Sequence, residues 1–125
     1  EMAAPVGQER YAYIAPTPFG NTLTKEFALA ALRAENLGKG TDTDFLAVSF
    51  SSTDYVGHAF GPNSVESQDV YLRLDRDLAE MLTFLDGWVG KDNYLVFLSA
   101  DHGVVDVPEF AASHRLPAGR FGMAR

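Results

Sequence analysis

Two apolar runs interrupt the mixed character of the chain. Phe45-Leu46-Ala47-Val48-Ser49-Phe50 is broken only by Ser49, and Tyr94-Leu95-Val96-Phe97-Leu98 is nearly continuous. Runs this short and this apolar predict strands covered on both faces, as in a parallel sheet. Between them a helical period takes over. Val70, Leu74, Leu78, Met81, Leu82 and Leu85 line one side, while Glu66, Asp69, Arg73, Arg76 and Glu80 line another. Asn63 is the expected cap of this helix, with Glu66 in the capping-box position, and Gly87 and Gly90 are its expected end. Asp69–Arg73 and Arg76–Glu80 are spaced as i,i+4 pairs, which suits a solvated face. Strand, loop, long helix and strand make a βαβ unit over residues 44–100. Parallel strands require such a crossover, and its hand is right. The predicted fold class is therefore α/β.

The flanks are less regular. Residues 1–9 are small and polar and read as loose, and residues 11–15 suit a short strand. Pro16-Thr17-Pro18-Phe19-Gly20-Asn21 is turn chemistry. Thr22 or Thr24 then caps a helix expected to run to about Leu37, with Leu23, Phe27, Ala30, Ala31 and Ala34 as a narrow stripe for packing on a sheet. Gly38 suits the position just past its end, and Gly40 extends the break. After Gly103, Pro108 starts one helical turn through Ala112, and Leu116-Pro117-Ala118-Gly119 reads as another turn. No repeat or linker divides the chain, so residues 1–125 are one domain or the central fragment of a larger one.

Composition narrows the function. The chain has 125 residues, 46% hydrophobic and 22% charged, which is a globular balance with enough length for a core. A net charge of −7 argues against nucleic acid or an anionic membrane surface as partner. Cysteine is absent, which excludes disulfides and thiolate zinc sites. No run approaches the roughly 18 apolar residues of a membrane span. Glu1 precedes Met2 without a cationic-then-apolar leader, so the chain is expected to be an internal segment.

The chemistry lies just past each apolar run. The first passes into Ser51-Ser52-Thr53-Asp54-Tyr55-Val56-Gly57-His58, the second into Ser99-Ala100-Asp101-His102-Gly103. Ligands of open α/β sheets bind outside the carboxyl ends of the strands. Asp54 and His58 would share one side of a helical turn. Asp101 and His102 are adjacent, so both can ligate only if the chain turns, as Gly103 allows. Imidazole and carboxylate together suit zinc, with manganese or iron as alternatives. The four residues either close around one ion or give half a site to each of two. Taken alone, the Asp54/His58 spacing is better explained by a local ion pair or cap, and Asp101-His102-Gly103 is a short string that a turn explains. Their recurrence at two strand ends favours a metal. Ser51, Ser52 and Thr53 lack a base and suit a structural loop, and His114 suits a surface histidine.

The string Thr53-Asp54-Tyr55-Val56-Gly57-His58, followed by a strand ending in Ala100-Asp101-His102-Gly103, resembles the alkaline phosphatase superfamily. It is most similar to the type I phosphodiesterase/nucleotide pyrophosphatase family, and residues 51–63 resemble its bacterial alkaline phosphatases. The resemblance runs from about Pro18 to Gly119. It implies a zinc-dependent phosphatase acting on phosphate monoesters. Asp54 and His58 would then hold one zinc, and Asp101 and His102 the other. Paired metals about 4 Å apart clamp the entering and leaving oxygens of an in-line displacement. The family's nucleophile and remaining ligands fall outside this chain, which is expected to be inactive in isolation. A phosphodiesterase, nucleotide pyrophosphatase or phosphomutase of the superfamily is the alternative, and a non-catalytic metal-binding domain the alternative of another class. The resemblance also implies a periplasmic or secreted parent, and removal of neighbouring strands predicts self-association through exposed sheet edges.

Overall fold

Pro18, not a threonine, opens the first helix. The computed structural model describes residues 12–120, and the first element there is a single 3₁₀ turn over residues 12–14. The short strand expected over 11–15 is therefore a helical turn where it is described. Tyr11 and residues 1–9 lie outside the described residues. Four α-helices follow: α1 (Pro18–Ala34), α2 (Ser52–Phe60), α3 (Val65–Leu85) and α4 (Pro108–Ser113). A five-residue π-helical turn, Asp86–Gly90, continues α3.

α1 begins within the stretch expected to be a turn. The fixed φ of Pro18 suits the first helical position, where its missing N–H costs nothing. Thr17 occupies the cap with extended backbone, but its hydroxyl donates to the carbonyl of Ile14. The helix stops before Leu37 because Asn36 takes the left-handed conformation, φ 53°. The Leu37 amide then donates back to Leu32 at 3.1 Å, a Schellman closure with Asn36 in the role expected of Gly38.

The buried face of α1 also differs from expectation. Asn21, Lys25, Ala28, Leu29 and Leu32 are buried, and α1 packs on α3 and touches α2. Leu23 and Phe27 are exposed, at 58% and 76%. The side carrying Thr24, Phe27 and Ala31 instead borders a shallow groove with residues 46–49. Polar contacts decide which face meets α3. Lys25 Nζ lies 2.9 Å from Asp77 Oδ1 and 2.5 Å from Glu80 Oε2, and Thr22 Oγ1 donates to Asp77 Oδ2 at 2.9 Å. Burial alone would push the Lys25 ammonium down, but hydrogen bonds to Glu80, Asp77 and Glu26 outweigh it and hold the group above its ordinary value.

α3 is capped one residue later than expected. Ser64 has extended backbone and its hydroxyl accepts from the Ser67 amide at 3.1 Å. Asn63 instead donates to Asp106 Oδ1 at 2.7 Å. Of the helix's apolar side, Val70 is fully buried and Leu82 is 40% exposed. The Asp69–Arg73 pair forms at 2.9 Å, whereas Glu80 turns to Lys25 and not to Arg76. Gly90, at φ 96°, ends the π turn, within which Gly87 lies. Pro108 opens α4 as expected. Residues 116–120 form no turn.

The βαβ unit over 44–100 is present in its helix and not in its sheet. Residues 43–50 and 94–100 carry no strand assignment, and among the described residues no strand is formed. A strand exists through its ladder of bonds to a neighbour, and neither run forms such a ladder among the described residues. Several of their side chains face outward: Phe45 is 85% exposed, Phe97 79% and Leu98 86%. No helix among the described residues is long and apolar enough to cross a membrane.

Candidate metal centre

Val56 and Gly57 face the interior from α2, which leaves Asp54 and His58 on its outer side. One helical turn brings His58 Nε2 to 3.2 Å from Asp54 Oδ1. His102 arrives from the second extended run, and its Nε2 stands 3.5 Å from the same carboxylate oxygen. The two imidazole rings lie 5.6 Å apart between centroids, tilted by 59°. One ligand atom from each of Asp54, His58 and His102 therefore falls within 4.8 Å of the others. Two donors bound tetrahedrally at about 2.1 Å from an ion stand roughly 3.4 Å apart, so the two observed separations suit a shared cation.

Asp101 sits at the rim. Its Oδ2 is 3.6 Å from His102 Nε2, and its side chain is 88% exposed. The structure thus brings His102 to the Asp54/His58 pair and leaves Asp101 outside the cluster, with His102 as close to Asp54 as to Asp101. The His102 ring is oriented by its other nitrogen, which lies 2.9 Å from the Gly103 carbonyl. A proton on Nδ1 for that bond leaves Nε2 as a lone pair facing Asp54. That carbonyl first, and then the Asp101 and Asp54 carboxylates, raise the His102 pKa against the opposing effect of burial.

Two glycines of the α2 region set the approach of His102. A Cβ on Gly57 would meet Val104 Cγ2 at 3.1 Å, and one on Gly61 would meet both Val107 methyl groups at 3.2 Å. The space that Gly57 opens is filled by a valine of the segment following His102. Gly61 adopts φ 82°, which also favours glycine. The Asn63–Asp106 bond ties the same segment to the start of α3. A cavity of about 230 Å³ opens beside His58, lined by Gly57 and residues 103–108. Arg120, the cation of its lining, donates to both Glu109 oxygens at 2.9 and 2.8 Å, and Glu109 is held below the usual carboxylate range by that pairing.

The remaining candidates make other contacts. Thr53 Oγ1 donates to Phe50 O, Ser51 Oγ meets Ser49 Oγ, and the Ser52 amide donates to Asn21 Oδ1. These are loop and helix-start contacts. His114 caps α4, with its ring 4.2 Å from that of Phe110. The contacts of Asn21 and Asn63 were not legible in the sequence, because each joins segments far apart in the chain.

Residues 6–117 match the model of the type I phosphodiesterase / nucleotide pyrophosphatase family. The chain is 56% identical over 112 residues to the alkaline phosphatase PhoV of Synechococcus elongatus, covering 90% of this chain and 20% of that protein. It is 54% identical over 113 residues to a protein of Myroides odoratus named calcium-transporting ATPase, covering 89% and 21%. The crystal structure of wild-type alkaline phosphatase PafA superimposes with a TM-score of 0.85 at 56% identity, over 89% of this chain and 21% of that one. The chain thus spans about a fifth of the length of the relatives it matches.

Proposed function

The chain belongs to the type I phosphodiesterase / nucleotide pyrophosphatase family, and we propose that it is the segment of a phosphate monoesterase that supplies half of each of two divalent-metal sites. One observation supports a metal here: Asp54, His58 and His102, from two distant segments, present ligand atoms within 4.8 Å of one another, while the division between two ions rests on the family resemblance. Asp54 and His58 would hold one ion and Asp101 and His102 the other. Two imidazoles and two carboxylates suit zinc best. When bound, such metals polarise a phosphoryl oxygen and activate the oxygen nucleophile. This chain's own part is to hold and orient its ligand atoms. The carbonyl of Gly103 fixes one ring, and α2 spaces Asp54 from His58.

The nucleophile and the remaining ligands would come from other parts of the whole protein. So would the strands beside residues 43–50 and 94–100, completing a parallel sheet that carries both Asp/His pairs at its edge. The two bacterial alkaline phosphatases among the relatives support monoesters as substrates, and the reading includes a periplasmic or secreted location. The name of the Myroides protein makes ATP a second substrate to assay.

The test sets the whole protein beside the isolated segment. The whole protein is expected to hold about two zinc ions and to hydrolyse an aryl phosphate faster than a bis-aryl diester or ATP. The isolated segment is expected to bind zinc weakly, to show no turnover, and to self-associate through residues 43–50 and 94–100. Turnover by the segment that Asp101→Ala abolishes would overturn the division of the site.

A further inference from the structure

The helix that carries Asp54 and His58 has no cap of its own. Ser51 stands at the cap position of α2 with helical backbone, and its side chain makes no capping hydrogen bond. The acceptor comes from another helix: Asn21 Oδ1 of α1 takes the Ser52 amide at 3.2 Å. Both residues are buried, Asn21 at 1% and Ser52 at 4% exposure. Gly20 permits this approach, since a Cβ there would stand 2.3 Å from Ser52 Oγ.

The amide orientation follows from chemistry. Turning Asn21 over would aim its NH₂ at the Ser52 N–H, donor against donor. In the orientation present, Asn21 Nδ2 is buried with no partner among the described residues. A leucine would fill similar space without an orphaned donor; what it would lose is the acceptor. Asn21 is itself held by its neighbours on α1, because Thr22 donates to Asp77 and Lys25 pairs with the same carboxylate. The start of α2 is thus tied through α1 to α3.

We infer that Asn21 is a positioning residue for the candidate metal centre, fixing the first turn of α2 and with it Asp54. The inference rests on the metal-site reading proposed above. Partners that orient metal ligands typically change affinity or activity 10–100-fold when removed.

The test uses the whole protein with Asn21→Leu, Asn21→Asp, Asn21→Ala and, as control, Asp54→Ala. Zinc affinity is read by chelator competition and the Ser52 amide by hydrogen exchange. Asn21→Leu is expected to weaken zinc about tenfold and to speed Ser52 exchange at least about tenfold. Asn21→Asp, which keeps an acceptor oxygen in place, is expected to restore affinity to within about threefold. If the leucine variant does not fold, the shorter Asn21→Ala serves as the acceptor-loss variant. A folded acceptor-loss variant with wild-type zinc affinity, alongside a weakened Asp54→Ala, overturns the inference and leaves the metal reading intact. Unchanged affinity in Asp54→Ala overturns the metal reading, and Ser52 exchange then decides alone whether Asn21 anchors α2.

Discussion

Two charged clusters lie on neighbouring parts of this molecule and are built in opposite ways. Between α1 and α3, Lys25 and Asp77 are nearly enclosed, with side-chain exposures of 4% and 8%. There one ammonium meets the carboxylates of Asp77, Glu80 and Glu26, and Thr22 satisfies the second oxygen of Asp77. At the candidate metal edge, Asp54, His58 and His102 have side chains 44%, 67% and 47% exposed, and one ligand atom from each lies within 4.8 Å of the others. The first cluster answers its own charges and fastens two helices. The second gathers two imidazoles around one carboxylate oxygen and leaves all three side chains open to solvent. Charge in a structure is informative by how it is answered, not by how much of it there is.

Breaking the enclosed cluster should have the largest effect on folding. Lys25→Ala leaves Asp77 buried without its cation, and denaturant unfolding of the whole protein should show a loss of about 3–5 kcal/mol. A loss below about 1 kcal/mol would mean that water reaches the seam freely. Asp54→Ala is expected to do the reverse: zinc affinity should fall by at least about 100-fold, with unfolding free energy without metal changed by no more than about 0.5 kcal/mol. Gly57→Ala falls between them. The added methyl crowds Val104 at 3.1 Å, so His102 should shift and zinc affinity should drop about three- to tenfold. Helix propensity meanwhile favours alanine by up to about 1 kcal/mol, so stability should hardly change. The smallest effect belongs to Arg73→Ala. Its pair with Asp69 is solvated and spans one helical turn, and its removal should cost about 0.3–0.5 kcal/mol, shrinking further in high salt.

The sequence by itself determined several features that depend on neighbours within one turn, though not the Arg76–Glu80 pair or the start of α1. The i,i+4 placement of Asp54 and His58, the helix opened by Pro108, the long helix before Gly90 and the Asp69–Arg73 pair are all local, and each forms as its spacing predicts. The motifs also carried the family resemblance, because ligand residues cluster in short strings. Only the tertiary structure decided matters of pairing between distant segments. It buried the Lys25 side of α1 and left Phe27 in solvent, since Asp77 and Glu80 lie on the facing helix. It drew Asn63 away to Asp106 and left the cap of α3 to Ser64. It brought His102 beside Asp54, and it left two apolar runs without strand pairing among the described residues. A helix closes its own hydrogen bonds, whereas a strand, a buried ion pair and a metal site each need a partner from elsewhere in the chain.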